Sequence, residues 1–179
     1  YDGLFKNSKF HGYGVLTDEA GKTIYEGEFL DDKYNGFGVL YNDENMLYMG
    51  DFKSGSYNGN GQLFNEEEVL VYEGAFANSK YNGFGTLYNE EAAIDYKGFF
   101  KDNSKYFEGY LGISEELLKE LLDLPDTTEV NEDGSLNMPY EAYGYIFVLK
   151  HDDDQNIMLV DSLIINSDIE VHKINKTMT

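Results

Sequence analysis

Few residues in this chain stand at spacings that could do chemistry. Asp152, Asp154 and Asn156 alternate as the first half of a calcium loop does, offering oxygen donors to a hard cation. The glycine that should follow is Ile157, and no glutamate closes the loop, so the segment reads as a solvated turn. His11, His151 and His172 lie in different parts of the chain with no acid or nucleophile at motif spacing. Ser114 and Ser162 lack the flanking glycines of a nucleophile elbow. Cysteine is absent, which excludes a thiolate metal site and a disulfide framework. The expectation is no cofactor, no metal and no catalysis. Function must then reside in a surface, and the residues able to build one are aromatic rings, glycines and acids.

These recur at a fixed period. Tyr1, Tyr25, Tyr48, Tyr72 and Tyr96 stand 24, 23, 24 and 24 residues apart. Each is followed two residues on by glycine (Gly3, Gly27, Gly50, Gly74, Gly98) and four on by phenylalanine (Phe5, Phe29, Phe52, Phe76, Phe100). A second phrase, Gly-x-Gly-x-Leu, follows in four units: Gly12/Gly14, Gly36/Gly38, Gly59/Gly61 and Gly83/Gly85, with Leu16, Leu40, Leu63 and Leu87. In the fifth, Gly109 and Leu111 keep register but Phe107 replaces the first glycine. A period in this range marks a stacked repeat array with atypical ends, here reading to about Leu111.

The elements that position these residues follow from side-chain alternation along a strand. Tyr, Gly and Phe of the first phrase share one face, and the glycines and leucine of the second are expected to share one too. Each unit is then a β-hairpin with a connection of five to six residues, such as Leu30–Tyr34. Glycine persists in a strand where another group comes close to the backbone. The expected neighbours are the Tyr and Phe rings of adjacent hairpins.

Tyr-x-Gly-x-Phe followed by Gly-x-Gly-x-Leu at this period resembles the MORN repeat (membrane occupation and recognition nexus), over residues 1–112. The resemblance implies an elongated, twisted single-layer antiparallel sheet of stacked hairpins that binds or scaffolds other proteins. Membrane-lipid binding has been proposed for the family, whose repeats are often appended to catalytic domains. His11 stands where the family pattern commonly has His, its equivalents here being Asn35, Asn58 and Asn82, and it reads as structural.

Charge narrows the partner. Thirty-four acids face thirteen basic residues, all lysine, for a net of −21, of which −10 falls in residues 1–112 and −11 in 113–179. Phosphate recognition draws on arginine forks or clustered lysines, and this chain has neither. Nucleic acid is therefore not an expected partner, and direct binding to an anionic membrane is disfavoured. The acids either keep an aromatic-rich rod soluble or steer a basic partner onto it. No apolar run approaches the ~20 residues that span a bilayer. A cytoplasmic, intracellular location is the default expectation. The chain starts at Tyr1 inside a repeat, so the N-terminus reads as truncated, with an upstream segment omitted.

After the repeats, Ser114–Asp123 is expected to be a short amphipathic helix within residues 113–124. Ser114 serves as N-cap, Leu117, Leu118, Leu121 and Leu122 form one stripe, and Pro125 stops it. It is either a cap on the array or a partner-binding helix. Residues 125–140 read as a loop. Tyr143–Lys150, Ile157–Ile165 and Ile169–Ile174 read as three strands, with a turn at His151–Asn156 and a frayed Asn175–Thr179. Residues 125–179 thus form a small β-sheet, independent or added to the repeat sheet.

A candidate binding surface follows from the same alternation. The residue between the two glycines points away from the Tyr/Phe face: Tyr13, Phe37, Asn60, Phe84 and, in the fifth unit, Tyr110. At two strands per unit these recur roughly every 10 Å. Beside them lie Leu4, Glu28, Asp51, Ala75 and Phe99, with Glu26 next along the strand. Such a ladder suits a protein or peptide with apolar anchors and basic flanks, unless the chain's own helix covers it. The sequence therefore predicts a non-enzymatic interaction or scaffolding module. Two alternatives stand beside it: an acidic inhibitor or immunity-type protein that neutralises a basic partner, and an accessory domain of a larger enzyme or membrane-associated protein.

Overall fold

The computed structural model describes residues 1–155, 157–167 and 170–175, with side chains as far as Ile165. Ten strands pair in chain order in one sheet. They are β1 (Asp2–Lys6), β2 (Lys9–Thr17), β3 (Thr23–Leu30), β4 (Lys33–Asn42), β5 (Asn45–Lys53), β6 (Ser56–Phe64), β7 (Leu70–Ala77), β8 (Lys80–Tyr88), β9 (Ile94–Lys101) and β10 (Ser104–Lys105). By contacts the chain divides into two compact units, Tyr1–Tyr96 with Phe100–Ser104, and Lys97–Phe99 with Lys105–Thr179.

The hairpin connections are shorter than expected. Each repeat turns on two residues, Asn7-Ser8, Asp31-Asp32, Ser54-Gly55, Asn78-Ser79 and Asp102-Asn103, and all ten have positive φ. This is the mirror-image turn whose twist matches that of the flanking strands, and Asn, Asp and Gly tolerate it best. The turns also bind successive repeats together. The backbone N–H groups of Asp32, Gly55, Ser79 and Asn103 donate to the carbonyls of Phe10, Tyr34, Tyr57 and Tyr81 in the preceding repeat. In return the side-chain oxygens of Asp32, Ser79 and Asn103 accept from the backbone N–H of Phe10, Tyr57 and Tyr81.

Inside each hairpin the register shifts. Gly27 pairs with Gly38 but Phe29 pairs with Tyr34, so Glu28 alone opposes Asn35, Gly36 and Phe37. The same bulge recurs between Gly50 and Phe52 and between Gly74 and Phe76. The carbonyls freed from the ladder at Glu28, Asp51 and Ala75 accept hydrogen bonds from the hydroxyls of Tyr25, Tyr48 and Tyr72, each 3.0 Å long. A buried carbonyl without such a partner would cost about 1–3 kcal/mol.

The bulge also corrects the expectation that both glycines of the second phrase share a face. The second does lie under the tyrosine: a Cβ added at Gly38, Gly61 or Gly85 would sit 2.5 Å from Cζ of Tyr25, Tyr48 or Tyr72. That ring belongs to the glycine's own hairpin, not to a neighbour. The first glycine turns to the other side, where an added Cβ would meet Leu4, Glu28, Asp51 or Ala75. Its φ is +66° at Gly12 and +64° at Gly36, which favours glycine, and +114° at Gly59 and +107° at Gly83, which few other residues reach.

Neighbouring hairpins supply the phenylalanines. Tyr25 stacks on Tyr34 of its own hairpin at 3.9 Å, and Phe52 of the next repeat meets both rings edge-on at 5.2 and 5.7 Å. Tyr48 with Tyr57 and Tyr72 with Tyr81 repeat this pattern, closed by Phe76 and Phe100. Each interlocked ring pair contributes about 0.5–1.5 kcal/mol beyond the area it buries. The stacking partners Phe10, Tyr34, Tyr57 and Tyr81 carry the repeat period themselves, a signal that sequence reading passed over.

The fifth repeat closes incompletely. Its second strand, β10, has two residues, and Phe107–Tyr110 form a turn of 3-10 helix. Phe107 occupies the position where the other repeats place a glycine at positive φ. A bulky side chain cannot adopt that backbone without strain, so the chain leaves the hairpin path there.

The second unit has its own sheet, in the order β11 (Glu129–Val130), β12 (Leu136–Tyr140), β13 (Tyr145–Asp152), β14 (Ile157–Ser167) and β15 (Glu170–Asn175). Helix α1 (Glu115–Leu122) is capped as expected by the Ser114 hydroxyl, which accepts from the Leu117 N–H. The loop expected over 125–140 contains β11 and β12, masked in sequence by Pro139 and the Asp133-Gly134 turn. Tyr143 falls in a short 3-10 turn rather than a strand. Ile169 and residues 176–179 lie outside the described residues, while Asn175 ends β15.

Burial raises the hydroxyl pKa of Tyr25, Tyr48 and Tyr72 well above the usual value near 10, and it raises those of Tyr34, Tyr57 and Tyr81 as well. In the unfolded chain these groups ionise first, so their stabilisation is complete below pH 10 and is lost as pH climbs above it. The thermal midpoint is therefore expected to fall steeply between pH 10 and 12. Replacing Tyr34, Tyr57 and Tyr81 by phenylalanine, the residue already present at Phe10, should flatten that fall. Equal slopes for variant and parent would exclude tyrosine ionisation as the cause.

Candidate binding face

The side of the repeat sheet opposite the stacked rings carries the sequence-predicted residues. Tyr13 and Phe37 point outward as alternation predicts and are 57% and 55% exposed, so neither is sealed. Asn60 is exposed and Phe84 half-buried. Across the junction to the next repeat the ladder faces the first-strand positions: Tyr13 pairs with Glu28, Phe37 with Asp51 and Asn60 with Ala75. In the first two of these pairs a ring faces a carboxylate.

The acids are held in defined positions. The Tyr13 hydroxyl donates to the Glu26 carboxylate at 2.5 Å, and this bond raises the tyrosine's pKa. Asp51 accepts from the backbone N–H of Asn60 at 3.0 Å, filling the bulge of its own hairpin. The Glu28 carboxyl lies over Gly36, where an added Cβ would come within 2.7 Å of it. These side chains combine a structural duty at the bulge with an acidic outer surface.

Two predicted members, Tyr110 and Phe99, pack against each other in the second unit. Tyr110 is 0% exposed: it lies on the 3-10 turn, not on a strand, and packs edge-on against Phe147 and Phe99 in the second unit. Phe99 is half-buried against Tyr110 and over Gly109. Tyr110 is thus a core residue of that unit, a consequence of the interrupted fifth hairpin.

Sequence reading also missed residues that shape the face. Phe37, Met49, Gly50, Asn60, Gly61, Gln62, Glu73 and Gly74 line an open hollow of about 410 Å³. Met49 and Glu73 occupy the first x of Tyr-x-Gly-x-Phe, and alternation alone would have placed them here.

Among the described residues no cluster of three or more His, Cys, Asp or Glu side chains could hold a metal ion. Asn156, the third member of the candidate calcium triad, lies outside those residues, as does the side chain of His172. His151 contacts Asp153 at 3.0 Å in an exposed turn, and His11 has a buried Nδ1. No helix among the described residues is long and apolar enough to cross a membrane.

The family model for the MORN repeat matches residues 1–23, 25–46, 48–64 and 72–89. No curated protein matches the chain.

Proposed function

The chain carries four MORN repeats over residues 1–89, and from that premise we propose that its repeat sheet is a protein-interaction surface for a basic, apolar peptide segment. MORN repeats mediate protein or membrane interactions and are generally non-catalytic. The observation that carries the reading is the pairing of exposed rings with carboxylates, Tyr13 facing Glu28 and Phe37 facing Asp51. Exposed rings supply desolvation energy to a bound anchor. Carboxylates beside them attract lysine and arginine, raising the association rate and excluding acidic competitors. A charge of −21 without a single arginine works against an anionic membrane or nucleic acid as the partner.

Peptide-library display on the immobilised protein tests this. The parent should enrich sequences in which aromatic or aliphatic residues stand beside lysine or arginine. The Phe37→Ala/Phe84→Ala variant should lose that enrichment while keeping the parent's circular dichroism. Enrichment of acidic sequences, or undiminished enrichment on the double variant, would overturn the proposal.

A further inference from the structure

The ladder has a gap. The position between the paired glycines holds Tyr13, Phe37 and Phe84 in three repeats but Asn60 in the third. At that place the surface opens into the hollow of about 410 Å³, bounded by Phe37 on one side and by Met49 and Gln62 at the walls. Its floor is backbone from three adjacent strands, where Gly50 pairs with Gly61 and Gly61 with Gly74. On the opposite side of the sheet the same kind of glycine floor carries the ring of Tyr48. A flat glycine backbone flanked by a ring fits another flat ring. The hollow has room for one aromatic side chain, and the amide oxygens of Asn60 and Gln62 can accept from an indole N–H or a phenol O–H.

Charge selects what flanks that ring. Glu73 lines the hollow, and among the described residues no lysine does. In the repeat that holds Asn60, Asp51 faces Phe37 of the preceding one across the strand junction. The lysines of these repeats cluster at the hairpin turns, as Lys33, Lys53 and Lys80 do. We propose that the hollow at Asn60 is an anchor site for one aromatic side chain of a partner segment, with lysine or arginine on either side of it. This rests on the proposed function and specifies where that binding is strongest.

The test follows backbone amide shifts by NMR during titration with three synthetic peptides, Lys-Lys-Trp-Lys-Lys, Lys-Lys-Ala-Lys-Lys and Glu-Glu-Trp-Glu-Glu. The first should move the amides of Gly50, Gly61 and Gly74 saturably. The alanine peptide should bind about tenfold more weakly or worse, as loss of a buried aromatic anchor does, and the acidic peptide should leave these amides unmoved. Asn60→Phe restores the ladder and fills the hollow, so it should abolish the shifts at an unchanged thermal midpoint. Met49→Phe fills the same space from the wall and gives the same reading if Asn60→Phe folds poorly. Binding that survives both filling variants but is lost in Phe37→Ala/Phe84→Ala would overturn the anchor site and leave the ladder as the surface. Absence of shifts with the first peptide, or equal binding of the tryptophan and alanine peptides, would also overturn it.

Discussion

Gly61→Val is expected to lower stability by about 3 kcal/mol, whereas Asn60→Val, one residue away, should change it by less than about 0.5 kcal/mol. The two positions lie on opposite sides of the sheet. A Cβ on Gly61 would sit 2.5 Å from Cζ of Tyr48, a ring that is fully buried, stacked on Tyr57 at 3.8 Å and hydrogen-bonded to the Asp51 carbonyl. Moving that ring breaks the hydrogen bond and separates Phe76 of the next repeat from its edge-on contact. Asn60 is exposed, and valine is well suited to a strand. Chemical denaturation of both variants measures the difference directly. Similar midpoints would show that the face assignment is wrong.

Tyr48→Ala should cost more still, about 4 kcal/mol, the range for deleting a buried aromatic ring. Tyr48 touches Tyr57 and Phe52 in its own repeat and Phe76 in the next, and its hydroxyl satisfies the bulge carbonyl of Asp51. In a stacked array each unit depends on its own stability and on its interfaces with its neighbours, so this one substitution weakens both. Phe37→Ala provides the contrast. Its ring is also in the repeat phrase, but it is 55% exposed, and the loss should stay below about 1 kcal/mol. Equal losses for Tyr48→Ala and Phe37→Ala would mean that the outer ring is as much a part of the core as the inner one.

These contrasts bear on how the acids should be understood. Asp51 holds the bulge N–H of Asn60 and presents its carboxylate beside Phe37. Glu26 binds the Tyr13 hydroxyl. The outer face is thus pre-organised by the bulge that makes each hairpin fit its neighbour, and an incoming partner meets rings and charges whose positions are already set. Less ordering entropy is then lost on binding.

Much of the repeat sheet was legible in the residues. The Tyr-x-Gly-x-Phe and Gly-x-Gly-x-Leu phrases identify strands, their pairing order and the inner face, because each hairpin packs only on the hairpins beside it and the information is local. Helix α1 was legible for the same reason: Ser114, its first-turn acids and the leucine stripe are all within one short segment. The outward placement of Tyr13 and Phe37 also follows from alternation alone.

What the tertiary structure decided depends on geometry that alternation does not encode. The two-residue turns and the bulge opposite Glu28 follow from twist matching and backbone hydrogen-bond closure, which turned the first glycine of each pair to the opposite side. The burial of Tyr110 depends on Phe147 and Tyr145, more than thirty residues further along the chain, and no local pattern could announce that contact. Asn60 read in sequence as one polar step in an aromatic ladder. Only with Met49, Gln62 and Glu73 brought around it by strand pairing does the missing ring become a hollow, because the shape of an empty space is set by its walls and not by the residue that leaves it open.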